Sequence, residues 1–268
     1  MLKYEELTYQ LRHFIFQARN DLQPGWPEEA YHQALLQLLQ EANIPVISKP
    51  RKPIIHRGVA IHIFEADLLV WNLIILELKM LPELKKFTPA QHAQIIHYLR
   101  CWQKELGLLI NFGTPQVNIK RIIWHDSPLV AREYYDSIKG CLNGNDRKYL
   151  LDIRRAVANI AKQYGIGYPV TLYKNALTAE LTHQNIDCLP DAPVSCQFRG
   201  RTISSHHSGH LLVAEKYLVN ILTLYIRPPT HEFLRTKTYL NALGLNFGLL
   251  VNFGKRQLQI YGINAHSE

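Results

Sequence analysis

The chain has 268 residues, 47% of them hydrophobic, 19% charged and 10% aromatic, the balance of a folded globular protein rather than a disordered one. Its apolar stretches are short and interrupted, which excludes a hydrophobic membrane span, and residues 1–20 mix Lys3, Glu5, Glu6, Arg12 and Arg19, unlike a secretory leader. The formal charge of +8 is compatible with a nucleic-acid partner or simply with a basic surface, and four cysteines without a leader suggest reduced thiols in the cytoplasm.

In chain order, helical spacing of Leu11, Phe14 and Ile15 predicts a helix over about 4–21, broken by Pro24 and Gly25. Pro27 suits the first turn of a second helix, with Glu28 and Glu29 at its positive end and Leu35, Leu38 and Leu39 on its apolar face. Extended segments are expected at 46–49 and 54–64, then at 67–71 and 73–79 as a tight hairpin about Asn72. A charged, proline-bearing stretch (81–87) leads to Thr88-Pro89, the start of a helix expected to reach Leu106. Strands follow at 107–111 and 117–124, then a helix at Leu129–Ile138 and a connector ending in GCLNGND.

After the connector the order repeats. GWPEEAYHQALLQLLQEANI at Gly25 returns as GYPVTLYKNALTAELTHQNI at Gly167, and GLLINFG at Gly107 returns as GLLVNFG at Gly248. Two separated matches in nearly one register mark a tandem duplication. The expected architecture is α/β, two tandem domains that each wrap helices around a mixed central sheet: residues 1–126, a linker at 127–147, and 148–268.

Within the first hairpin, DLLVWNLIILELK, alternation puts Glu77 and Lys79 on one side of a strand. A turn centred on Asn72 sets Asp67 opposite Glu77. Two carboxylates in apolar surroundings repel, and a divalent cation relieves them; hard oxygen ligands suit magnesium or manganese. The competing reading is a solvated sheet end carrying a Glu–Lys pair.

These residues resemble the Asp…Glu-x-Lys core of the PD-(D/E)XK nuclease superfamily, and more narrowly its GxxExxY family, through Gly25, Glu28 and Tyr31, DLLV at Asp67, ELK at Glu77, QIIHYL at Gln94 and GLLINFG at Gly107. The resemblance covers most of residues 6–123; that family is usually a single unit, so the duplication departs from it. It implies a restriction-endonuclease-like fold and metal-dependent phosphodiester cleavage, of DNA or RNA, DNA being what the superfamily mostly cuts. Carried over, Asp67 and Glu77 would hold Mg2+ or Mn2+, Lys79 would assist catalysis, Glu28 would add a carboxylate or simply favour its helix N-terminus, and Gln94 with Tyr98 would border the site, Tyr98 having a core role as the alternative.

In the second copy Asp67 becomes His210, Glu77 becomes Asn220, Lys79 becomes Leu222, Glu28 becomes Val170 and Gln94 becomes Arg235. The second half is therefore expected to be a scaffold or substrate platform in an intramolecular pseudo-dimer, with Arg199, Arg201, Arg227, Arg235 and Lys237 as phosphate contacts or plain surface charges. Cys188, Cys196, His206, His207 and His210 are the right types for zinc but lack the close Cys pair of common zinc modules. The rival reading from another class is a catalytically inactive nucleic-acid-binding or assembly module.

Overall fold

The computed structural model describes residues 4–82, 86–125, 128–254 and 256–266. The chain divides into two compact units, Met1–Pro53 with Ile63–Asp126, and Ile54–His62 with Ser127–Glu268. Each holds one mixed sheet with helices on both faces, the tandem α/β arrangement expected. The expected boundary at 126/127 lies outside the described residues, as does part of the charged stretch before Thr88.

The first copy runs α1 (Glu5–Leu22), α2 (Glu28–Glu41), β1 (Val46–Ser48), β2 (Arg51–His56), β3 (Val59–Glu65), β4 (Leu68–Val70), β5 (Ile74–Lys79), α3 (Pro89–Trp102), β6 (Leu106–Asn111) and β7 (Asn118–Ile123). Its sheet has the order β1-β4-β5-β6-β7, with β5 and β6 parallel and the other neighbours antiparallel. Alternation sorts the strands. Ile74, Leu76 and Leu78 join Leu11, Ile15, Leu35 and Leu39 in one apolar cluster beneath α1 and α2. The opposite face, with Ile75 and Glu77, is the one α3 covers: Gly107 pairs with Ile75, and a Cβ on Gly107 would meet Ile95 of α3 at 2.6 Å.

The second copy repeats this with α4 (Gly144–Tyr164), α5 (Val170–His183), β9 (Cys188–Leu189), β10 (Pro193–Phe198), β11 (Arg201–His207), β12 (Leu211–Val213), β13 (Tyr217–Leu222), α6 (Thr230–Leu243), β14 (Phe247–Phe253) and β15 (Leu258–Asn264). Its sheet gains an edge strand, β8 (Ala131–Tyr134), parallel to β15. Among the described residues no helix is long and apolar enough to cross a membrane.

Three local expectations change. The helix expected at Leu129–Ile138 is instead β8, whose four exposed residues follow a partner strand rather than a pattern of their own. The extended segment 54–64 belongs to the two strands β2 and β3, folded back at Arg57-Gly58, both at positive φ. The helix after Pro89 stops at Trp102, where Gln103 takes the left-handed conformation. GCLNGND also does more than connect: Asn143 accepts the Asp146 backbone N–H and starts α4 with a capping box.

The shared motifs are explained by packing. Tyr31 stacks on Phe112 at 4.6 Å between ring centroids, and Tyr173 on Phe253 at 3.9 Å. Each hydroxyl donates to a carbonyl just before its helix, Gln23 at 2.6 Å and Gly165 at 2.9 Å. Between them, Gly25 and Gly167 sit at φ +108° and +87°, where a side chain would be strained. Asn111 accepts from the Leu81 N–H (2.9 Å) and donates to its carbonyl (3.0 Å), and Asn252 treats Leu224 in the same way. Gly113 lies so close to the Leu81–Pro82 backbone that a Cβ would fall 2.6 Å from the Leu81 carbonyl carbon and 2.8 Å from the Pro82 nitrogen. Gly113→Ala is therefore expected to lower stability by about 1–3 kcal/mol, read as an earlier denaturation midpoint with an unchanged slope.

In the second unit, Glu180 of α5 is buried and receives Arg57 at 2.7 and 3.0 Å, His56 at 2.9 Å and Gln184 at 3.0 Å. The hydrogen-bonded Arg57 guanidinium holds its carboxyl down to about 2, against the burial that would raise it. A depressed acid stabilises the fold above the unfolded value of about 4.5 and loses that contribution as pH falls through the folded value. Wild type should exceed Glu180→Gln in stability by on the order of 2 kcal/mol at neutral pH. That gap should close between about pH 4.5 and pH 2 in parallel denaturant titrations.

Candidate active site

The β4–β5 hairpin builds the site. Leu68 pairs with Leu76 and Val70 with Ile74, leaving the three-residue turn Trp71-Asn72-Leu73, in which Trp71 and Asn72 both have φ at +52° and the Leu73 N–H donates to the Val70 carbonyl at 2.9 Å. Such a turn locks the register of the flanking strands. The pairing is centred on Asn72, as expected, and Asp67 arrives opposite Glu77. The Asp67 carboxylate accepts the Leu78 backbone N–H at 2.6 Å, which pins it to the end of β5.

Glu77 is 2% exposed, on the α3 face of the sheet. One of its oxygens, Oε1, accepts from Lys79 Nζ at 2.6 Å; the other, Oε2, is buried without a hydrogen-bond partner among the described residues. Burial first, and then the Asp67 charge, push the Glu77 carboxyl up to about 8 against the pull of Lys79. Desolvation alone would loosen the Lys79 proton, but the Glu77 carboxylate outweighs it and raises the ammonium above its ordinary range. Glu28, at the first turn of α2, belongs to the same electrostatic neighbourhood. Burial raises its carboxyl, with Asp67 adding to the rise, while Lys79 and a hydrogen bond from the Met80 backbone N–H oppose it.

On α3, Gln94 donates to the Tyr98 hydroxyl at 2.9 Å. Burial raises the Tyr98 hydroxyl, with the charges of Glu77 and Asp67 contributing, so the Gln94–Tyr98 pair borders the carboxylates through Tyr98. Tyr98 is also buried core, edge-on to Phe64 and Trp102.

The residues fit a hard divalent cation. Magnesium is usually held by one or two carboxylates and keeps several waters. Asp67 and Glu77 supply two carboxylates, and Glu77 Oε2 is a buried oxygen that lacks any other partner. Among the described residues no three His, Cys, Asp or Glu side chains are gathered into a ready-made cage, so Glu28 is a neighbour of this pair rather than the third wall of one.

In the second copy the equivalent positions are engaged in hydrogen bonds of their own. His210 is buried, and desolvation holds its imidazole down to about 4; its Nδ1 meets the Ser208 carbonyl at 2.7 Å. Asn220 donates to Glu232 at 3.0 Å and to Thr236 at 3.2 Å, and Arg235 binds Glu232 at 2.5 Å. Glu232 and Thr236 stand on α6 where the first copy has Gln91 and Ile95, positions with no acid-base pattern to draw attention. The zinc cluster does not assemble: Cys188 faces Thr178, His206 meets Tyr239, His207 meets the Asp191 carbonyl, Cys196 is exposed on β10, and His210 points toward Thr236.

No curated protein matches the chain. Among solved structures, one described as the crystal structure of SSO0001 is 19% identical, with a TM-score of 0.29; the alignment covers 45% of this chain and 59% of that one. The sequence model of the PD-(D/E)XK nuclease superfamily matches twice, over residues 5–122 and 147–262, each match spanning one of the two copies. With two matches that together take in most of its length, the chain belongs to the PD-(D/E)XK nuclease superfamily.

Proposed function

We propose that the first copy is a metal-dependent nuclease that hydrolyses phosphodiester bonds, and that the second is a scaffold or substrate platform. The observation that carries this reading is the buried Glu77, with one oxygen on Lys79 and the other unpartnered, beside an Asp67 fixed by the Leu78 N–H. An apolar sheet end that keeps two carboxylates this close is costly unless a cation neutralises them. Asp67 and Glu77 would hold Mg2+ or Mn2+, which when bound supplies Lewis-acid polarisation and a more acidic water.

The chain's own groups then divide the remaining work. Lys79 is held by Glu77 at 2.6 Å, with its ammonium raised above its ordinary range, and offers a positive charge to an anionic phosphate or to the negative charge that develops as its ester bond breaks. Glu28, half-buried and with its carboxyl raised by desolvation, orients water or relays a proton. Gln94 and Tyr98 line the α3 side and restrict solvent around Glu77. The Gly25, Glu28 and Tyr31 spacing supports a place in the GxxExxY family, though only Glu28 is near the chemistry; Tyr31 packs the core. DNA is the substrate we favour, by analogy with the superfamily.

With Mg2+ or Mn2+ present, purified protein should cleave single- or double-stranded DNA. Asp67→Asn, Glu77→Gln and Lys79→Ala should each slow cleavage by roughly 10²-fold or more. Leu222→Met in the second copy should leave it unchanged. Cleavage that survives in Glu77→Gln and in Lys79→Ala would remove the site assignment, and binding without cleavage under every metal condition would favour the inactive module.

A further inference from the structure

The two copies each carry a hairpin between their first sheet strand and the strand that precedes the acid position, and the two hairpins differ in charge. In the first copy the cations of β2–β3 are spent within the fold: Arg51 pairs with Glu65 at 2.6 Å, Arg57 with Glu180 at 2.7 Å, and Lys52 donates to the Cys101 carbonyl at 2.7 Å. The equivalent β10–β11 ribbon has the same two-residue turn, Arg199-Gly200, with φ values of +48° and +76° against +49° and +79° at Arg57-Gly58. Phe198 replaces His56 and Arg201 replaces Val59. Residues 193–207 include no Asp or Glu, and among the described residues neither Arg199 nor Arg201 has a carboxylate partner. Arg199 lies over the Phe198 ring, 5.3 Å from its centroid.

The ribbon is fixed at its base, where Val194 is buried, and exposed along β11 and over the tip end of β10. His206 meets the Tyr239 hydroxyl of α6 at 3.0 Å and His207 meets the Asp191 carbonyl at 2.9 Å. Ser195 bonds Ser205 at 2.8 Å and Gln197 bonds Thr202 at 2.7 Å, cross-strand contacts that stiffen it. Every residue of β11 is exposed, including Ile203 at 63%, and Phe198 at the tip is 57% exposed. A two-stranded ribbon of this kind fits the major groove of duplex DNA, which is about 12 Å wide. Its positive charge, without a compensating acid, suits a polyanion better than a protein surface of mixed charge.

We propose that β10–β11 is a nucleic-acid-docking arm of the catalytically degenerate copy, in which Arg199 and Arg201 take phosphates of a DNA duplex while the Phe198 end of the ribbon enters a groove. This deepens the nuclease reading and rests on it only for the choice of polyanion. It gives the second copy a positive role, independent of the carboxylates it has lost.

The test is anisotropy of a fluorescein-labelled duplex of about 20 base pairs, titrated with full-length protein in EDTA at several salt concentrations, so that cleavage plays no part. The double variant Arg199→Ala/Arg201→Ala should bind roughly tenfold or more weakly, with a salt slope shallower by about 2. A control with the same charge change on α4, Arg147→Ala/Lys148→Ala, should keep the wild-type slope. Equal loss in both pairs, or unchanged binding in the ribbon variant, overturns the arm. A ribbon variant that binds DNA normally but loses association with RNA or with a protein reassigns the surface and equally overturns it. Metal-dependent cleavage by wild type, scored separately, distinguishes the outcomes: an arm without cleavage sinks the nuclease reading alone, and cleavage without the arm sinks this one.

Discussion

Burying Glu77 beside Asp67 is the constraint around which the first copy is arranged. A buried carboxylate near the end of a sheet's central strand, with α3 over it, would ordinarily be replaced by an apolar residue or matched oxygen for oxygen. Here Lys79 satisfies one oxygen at 2.6 Å and leaves the other unpartnered, while Asp67 is held in place by a backbone N–H of the same strand. Such a pair costs stability in isolation. Glu28 stands in the same electrostatic neighbourhood, its carboxyl raised first by desolvation and then by the Asp67 charge.

The second copy shows how the same fold behaves once that constraint is lifted. At the acid positions stand a neutral imidazole and a carboxamide, and α6 supplies Glu232 and Thr236 to complete their hydrogen bonds. The framework is unchanged: both copies stack a tyrosine on the phenylalanine at the end of β6 or β14, and both use an asparagine of that strand to bridge the loop after the neighbouring parallel strand. What duplication kept is packing. What it changed is the electrostatics of one pocket, together with the hairpin whose cations are neutralised in one copy and exposed in the other.

Much of this was legible from residue order, for identifiable reasons. A turn centred on Asn72 was enough to set Asp67 opposite Glu77, and the observed pairing has that centre; a one-residue slip would send the strand's side chains to the opposite face. The repeat offsets aligned the strands of the two sheets. Other features left no local signal. β8 is a short exposed strand defined only by β15, and the Arg57-Gly58 turn interrupts a run that otherwise alternates like one strand. The five Cys and His residues looked clustered because they are near in sequence, yet strand alternation and separate helical partners send them to different neighbours. Glu232 and Thr236 went unnoticed because their counterparts, Gln91 and Ile95, carry no acid-base chemistry to compare.

The cation itself is the most direct point of attack. Calorimetric titration of Mn2+ into metal-free full-length protein should give saturable binding that disappears in the Asp67→Asn/Glu77→Gln double variant and survives in His210→Asn. Binding that persists unchanged in the double variant, with the fold intact by circular dichroism, would contradict a cation site at the amino-terminal carboxylates.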